Sequence, residues 1–161
     1  MTAPRAPGFT LVEVLVVVAI IAIAAGVAAV AWRDDPRATA EREARRFAGA
    51  LEYAAARAQW RNETLGVSAD GRAWRFWRRA DDGARWLAVA DDDVLSPRSI
   101  AADHTLVPLA YAGQPLPPDA LIPLRPSGRN EPYAFVLDGA GIRLVVASDP
   151  LNHVSVVAAN P

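Results

Sequence analysis

Glu13 is the residue whose surroundings ask most of its chemistry. It lies inside PGFTLVEVLVVVAII, residues 7–21, where apolar side chains otherwise run almost unbroken. A carboxylate in such a segment is costly to desolvate unless it lies shallow, is protonated or meets a cation. No Arg falls within a turn or two of it on the same segment. One cation remains, the α-amine that a cut just before Phe9 would create. Three other constellations hold reactive residue types. Ser148, Asp149 and His153 are those of a hydrolytic triad, but they are local neighbours without a nucleophile elbow, and His104 is the one other histidine. Asp91-Asp92-Asp93 offers oxygens to a hard cation such as calcium; no EF-hand spacing follows, and the run reads as a solvated acidic loop. Trp74, Phe76, Trp77 and Trp86 alternate with Arg75, Arg78, Arg79 and Arg85. That pattern suits a stacking platform for single-stranded DNA. It equally suits a strand pair with an aromatic core and Arg stems over its outer face. The balance of 17 basic against 18 acidic residues favours the second reading.

The element that positions Glu13 must be a helix. From Val14 to Trp32 no residue is charged. As a helix, Phe9 to Trp32 would measure about 36 Å, against a hydrocarbon core of about 30 Å, so residues 9–32 are expected to span a membrane. Trp32 falls at an interface, and Arg33-Asp34-Asp35 then meet water. Arg5 and the initiator amine place the short N-terminal segment in the cytoplasm and the remainder outside. A competing reading takes Val14–Val27 as the core of a secretion signal cleaved after Ala29-Val30-Ala31. It leaves Glu13 without a purpose, and Ala is so common here that the cleavage pattern arises by chance.

Beyond the span, Pro36 can open a helix capped by Asp34 or Asp35. Ala40, Ala44, Phe47, Leu51, Ala54 or Ala55, and Ala58 then recur at steps of three and four and define one face. Glu41, Arg42, Arg45, Arg46, Glu52 and Arg61 lie mostly off it. Asn62 and Gly66 are stop signals, giving an amphipathic helix over 33–62. Residues 63–161 read as β structure. Strands are expected at 65–69, 73–78, 85–89, 105–111, 120–124, 133–137, 142–147 and 154–158, with turns at Asp70-Gly71, Asp82-Gly83 and Asp138-Gly139-Ala140-Gly141. Pro108 and Pro123 inside two of these strands predict edges or bulges. The fold class is α+β: a long N-terminal helix packed on a β-sandwich-like antiparallel head of two small sheets. The chain has no Cys, so no disulfide framework and no thiolate metal site is available. No cofactor and no catalytic function are expected.

Gly8-Phe9-Thr10-Leu11-Val12-Glu13, followed by the apolar run, resembles the processing signal of type IV pilins and pseudopilins. The resemblance implies that residues 1–8 are a leader, that a prepilin peptidase cuts between Gly8 and Phe9, and that Phe9 is then N-methylated. It also implies that Glu13 pairs with the N-terminal amine of a neighbouring subunit. The leader, MTAPRAPG, has a single Arg and is less basic than many. In the head, Arg72-Ala73-Trp74-Arg75-Phe76, Trp86, Ile122-Pro123-Leu124-Arg125-Pro126-Ser127-Gly128 and Pro132-Tyr133-Ala134-Phe135-Val136-Leu137 resemble the GspH-type minor pseudopilins of type II secretion. What this implies is a single-pass inner-membrane protein with a periplasmic head. It would help form or prime the tip complex of a pseudopilus that exports folded proteins. Its partners would be other major and minor pseudopilins, the prepilin peptidase, the assembly platform and membrane lipid, with no nucleic acid expected. The alternative is a related minor pilin of a type IV pilus or DNA-uptake machine. Members of that group often carry a Cys pair, absent here.

Overall fold

A computed structural model describes residues 10–31, 35–139 and 141–159. The chain divides into two units between Asp35 and Pro36. The first contains one helix, α1 (Leu11–Ala31), whose first turn carries Glu13. Its side chains, described as far as Val27, are exposed all round, with Leu11 81%, Ile23 69% and Val27 66% accessible. Among the described residues no helix is long and apolar enough to cross a membrane. Phe9 and Trp32, the ends of the expected span, lie outside the described residues.

The second unit is built around α2 (Pro36–Arg61). Pro at the first helical position lacks only an N–H that the helix would leave unpaired. The helix stops at Asn62, which takes a left-handed φ of 50°. There the amides of Asn62 and Glu63 fold back onto the carbonyls of Gln59 and Ala58, the paired closure of a Schellman motif. The strands follow as β1 (Leu65–Ala69), β2 (Ala73–Arg79), β3 (Trp86–Ala88), β4 (Arg98–Ser99), β5 (His104–Tyr111), β6 (Gln114–Pro115), β7 (Ile122–Leu124), β8 (Tyr133–Gly139), β9 (Ile142–Ser148) and β10 (Val154–Ala158). They form two antiparallel sheets. One runs β3-β2-β1-β7, with β4 also on β2; the other runs β10-β9-β8-β5-β6.

The alternation of each strand decides what it buries. Leu65, Val67 and Ala69 of β1, Trp74 and Phe76 of β2, and Phe135 and Leu137 of β8 turn inward. The α2 stripe Ala40, Ala44, Phe47, Leu51, Ala54 and Ala58 closes the same core. Phe47 touches both sheets at once, with ring centroids 5.4 Å from Trp74 and 4.9 Å from Phe135. The sheets also meet through backbone: Gly71 and Leu106 exchange N–H···O bonds of 3.0 and 3.2 Å. Pro108 sits at a register shift in β5, and Pro123 lies on β7, an edge strand. Both positions spare the ladder a missing donor.

Some expectations shift. The strand over 85–89 contracts to β3, that over 120–124 to β7, and the two-residue strands β4 and β6 carry no alternation that could announce them. Gly66 is not a helix stop. It is buried within β1, where a Cβ would stand 2.7 Å from Leu121 Cδ2 and 3.0 Å from Trp86 Cζ3. It lets those two side chains lie down on the sheet.

Candidate functional site

Glu13 occupies the third position of α1. Thr10 precedes the helix, and its hydroxyl oxygen and carbonyl accept the Glu13 N–H at 3.2 and 3.1 Å. Thr10-Leu11-Val12-Glu13 thus has the spacing of a capping box, with the Thr half formed. The sequence reading missed this local task, although Thr and Glu three apart is its signal. An anion in the first turn also suits the positive end of the helix dipole. Among the described residues no cation meets the Glu13 carboxylate. Gly8 and Phe9 lie outside the described residues.

The head holds one buried cation that periodicity did not flag. Arg57 is 4% exposed on α2. Its Nε donates to Glu63 at 2.9 Å and its Nη1 to Asp92 at 2.7 Å, while Asp91 stands 3.8 Å from Nη2. The Tyr53 hydroxyl donates to the other side of the same Asp92 oxygen at 3.0 Å. Burial pushes the Asp92 carboxyl up, but hydrogen bonds from Tyr53, from the Val94 and Leu95 amides and from Arg57 outweigh it and hold it below the usual carboxylate range. The hydrogen bond to Asp92 in turn pushes the Tyr53 phenol up. The acidic run is therefore a latch that pins the segment after β3 to α2. Among the described residues no group of acidic or histidine side chains is arranged to hold a metal ion.

A second buried polar joint involves Asn130 and Asn152. Asn130 Nδ2 donates to Asn152 Oδ1 at 2.9 Å, and Asn130 Oδ1 accepts the Arg125 N–H at 2.8 Å. The Asn130 N–H reaches the Pro150 carbonyl at 3.1 Å. The loop carrying Pro126-Ser127-Gly128 is thereby clamped to the β9–β10 turn. Tyr133, just beyond it, packs edge-on against Phe135 at 6.2 Å, and burial pushes its phenol up to about 12.

The remaining candidates resolve into structural roles. Asp149 accepts the Leu151 and His153 amides at 2.8 and 2.9 Å and so shapes the β9–β10 turn. Ser148 Oγ donates to the Asp149 carbonyl at 3.2 Å, and the His153 ring meets Asp149 Oδ2 at 3.4 Å. No bond joins Ser148 to His153, so the three do not form a relay. His104 is buried with Nδ1 2.7 Å from Asp103 Oδ1. Trp74 and Phe76 are core residues, 1% and 0% exposed, and cannot stack on a ligand. Trp77 faces out and donates Nε1–H to Ser68 Oγ at 2.8 Å, and the Arg79 guanidinium lies 5.8 Å over the Trp86 ring. Arg75 pairs with Asp70 at 2.7 Å and Arg85 with Asp82 at 2.8 Å. This is the strand pair with an aromatic core and Arg-covered outer face.

Comparison with known proteins adds two matches along the chain. Residues 4–29 match the prokaryotic N-terminal methylation motif. Residues 43–150 match the family described as type II transport protein GspH. The chain belongs to the GspH family. The type II secretion system protein H of Escherichia coli (strain K12) is 29% identical over 142 residues, which is 83% of this chain and 82% of that protein. Two solved structures share the fold. A crystal structure of the minor pseudopilin EpsH from the type II secretion system of Vibrio cholerae gives a TM-score of 0.63 at 15% identity, covering 79% of this chain and 99% of that one. The solution structure of E. coli GspH gives 0.58 at 22%, covering 80% and 94%. The GspH match takes in the Arg57 latch, the Gly71–Leu106 joint and Asn130, and stops just short of Asn152.

Proposed function

We propose that this GspH-family chain is a minor pseudopilin, a structural subunit of a type II secretion pseudopilus that helps form or prime its tip. The observation that carries the reading is the union in one chain of a methylation motif over residues 4–29 with a GspH head over 43–150. In this reading residues 1–8 are a leader removed by prepilin peptidase, which cuts between Gly8 and Phe9 and methylates Phe9. Residues 9–32 anchor the chain in the inner membrane and pack against the helices of other pseudopilins. The amphipathic helix Pro36–Arg61 follows, and residues 63–161 form the head in the periplasm.

Glu13 meets the amine of a neighbouring subunit. In a low-dielectric setting a misregistered pair leaves both charges uncompensated, so the pairing selects one axial offset. Thr10 supports it by fixing the helix start on which Glu13 is carried. The chain does no chemistry and takes no cofactor; its substrate relationship is to the peptidase that matures it.

The test is the intact mass of the chain recovered from membranes of a host with prepilin peptidase. The expected product lacks residues 1–8 and carries one added methyl group. Loss of residues 1–31 with a soluble product would replace the assembly subunit by an ordinary secreted domain.

A further inference from the structure

Trp60-Arg61-Asn62-Glu63-Thr64 closes α2 and leads into β1, and part of it has no task in the head. Asn62-Glu63-Thr64 has the spacing Asn-x-Thr, with x other than Pro, of an acceptor for N-linked sugar. Asn62 is the Asn of this chain with a hydroxyl residue two positions on. Pro follows Asn160, and Asn130 and Asn152 are buried and bonded to each other.

The local geometry leaves the acceptor groups free. Asn62 is exposed and lies just past the helix, in the turn set by its φ of 50°. Its backbone N–H is used on the Gln59 carbonyl, but among the described residues its carboxamide has no partner. The Thr64 carbonyl takes the Arg79 N–H, while among the described residues the Thr64 hydroxyl has no partner. The residue between them is held, since the Glu63 carboxylate accepts from Arg57 at 2.9 Å. The turn is thus anchored through its middle residue, with the two groups a glycosyl acceptor needs left unengaged. Trp60 is a second, independent observation. It is 82% exposed and among the described residues makes no ring contact or hydrogen bond. A bare indole face is apolar surface left in water. It suits the C–H face of a pyranose attached two residues along.

We propose that Asn62 is a glycosylation site whose first sugar packs on Trp60. The bond formed joins Asn62 Nδ2 to the anomeric carbon of an oligosaccharide carried on a lipid phosphate. The bond broken is the one from that carbon to the phosphate oxygen, which leaves with the electron pair, and the Nδ2 proton passes to a base of the transferase. The Thr64 hydroxyl is the handle by which such a transferase recognises its acceptor. The inference rests on the secretion-subunit reading in one respect, the placing of the head on the side of the membrane where lipid-linked sugars are transferred.

The experiment uses the full chain recovered from the membranes of its own cell. Trypsin, cutting after Arg61 and Arg72, releases residues 62–72 as one peptide. The expected result is that this peptide carries an added hexose or N-acetylhexosamine series whose first sugar maps to Asn62. Asn62→Gln and Thr64→Ala both abolish the addition, and Thr64→Ser keeps it. Thr64→Ala leaves the helix stop in place, so the melting temperature of the unmodified head does not change. Trp60→Ala lowers the modified fraction. An unmodified peptide, a sugar mapped to Thr64 or another residue, or a modified fraction indifferent to Thr64→Ala or to Trp60→Ala overturns the proposal. An unmodified peptide from a chain that bears methylated Phe9 leaves the secretion-subunit reading intact. A glycan on Asn62 in a chain that never acquires that terminus sinks the secretion-subunit reading alone.

Discussion

Arg57 shows what a single residue can hold together. Its guanidinium satisfies Glu63 and Asp92 in a site where none of the three is well solvated. Removing one partner of a buried pair leaves the other uncompensated, at a cost of about 3–5 kcal/mol. Arg57→Ala is therefore expected to lower unfolding stability by that amount in urea titrations. The pH dependence has a defined sign. Asp92 is held below the usual carboxylate range in the folded chain, so its contribution is complete above about pH 4 and is lost as pH falls through its lowered folded value. Asp70, lowered chiefly by its bond from Arg75, and Asp149, lowered chiefly by the His153 amide, act in the same direction. Melting temperature should stay level from pH 7 to 5 and drop below about pH 4, with a shallower drop in Asp92→Asn. Asn130→Ala would strand the Arg125 N–H and the Asn152 side-chain oxygen Oδ1, costing about 1–3 kcal/mol. None of these partnerships was legible in the sequence. Arg57 sits among alanines, and its partner Asp92 is 35 residues away. The acidic run could be noticed but its partner could not be named. Glu13 could be noticed because a carboxylate interrupts an apolar run, a signal that needs no distant partner to be seen.

At the scale of elements, legibility followed distance along the chain. The α2 stripe was readable because its period is local, and Ala40, Ala44, Phe47, Leu51, Ala54 and Ala58 are all buried. Asn62 was readable as a stop for the same reason. The hairpin at Asp70-Gly71 announced itself, and the structure shows why: Asp70 Oδ1 accepts the Arg72 and Ala73 amides at 3.0 and 2.8 Å, and Gly71 takes a φ of 91°. Strand order was not readable, since β1 lies beside β7 and β5 beside β8 across long insertions. Close backbone approach was equally hidden. A Cβ on Gly139 would stand 2.4 Å from the Asp103 carbonyl oxygen and 2.8 Å from His104 Cα, both backbone atoms that cannot swing aside. Gly139→Ala should cost about 1–3 kcal/mol by overpacking. Gly128→Ala faces open space and should change stability by less than about 0.5 kcal/mol. Thermal melts of the two variants make the comparison directly.

In the molecule as a whole, α2 is what makes two sheets one head. Phe47 touches Trp74 of one sheet and Phe135 of the other, and Glu52 Oε1 accepts the Val154 amide of β10 at 3.1 Å. Phe47→Ala should cost about 3–5 kcal/mol and lower the melting of both sheets together, read as one transition by circular dichroism and by Trp fluorescence. The seating of α2 has a mechanical consequence. The chain arriving from the first unit enters the head at Pro36, and the helix it enters is gripped from Ala40 to Ala58 by both sheets. Tension applied at Pro36 along the helix axis loads those contacts in shear, so they must yield together instead of peeling one at a time. The head is fastened on α2 as a handle is fastened on a tang, firm against a straight pull along the helix axis.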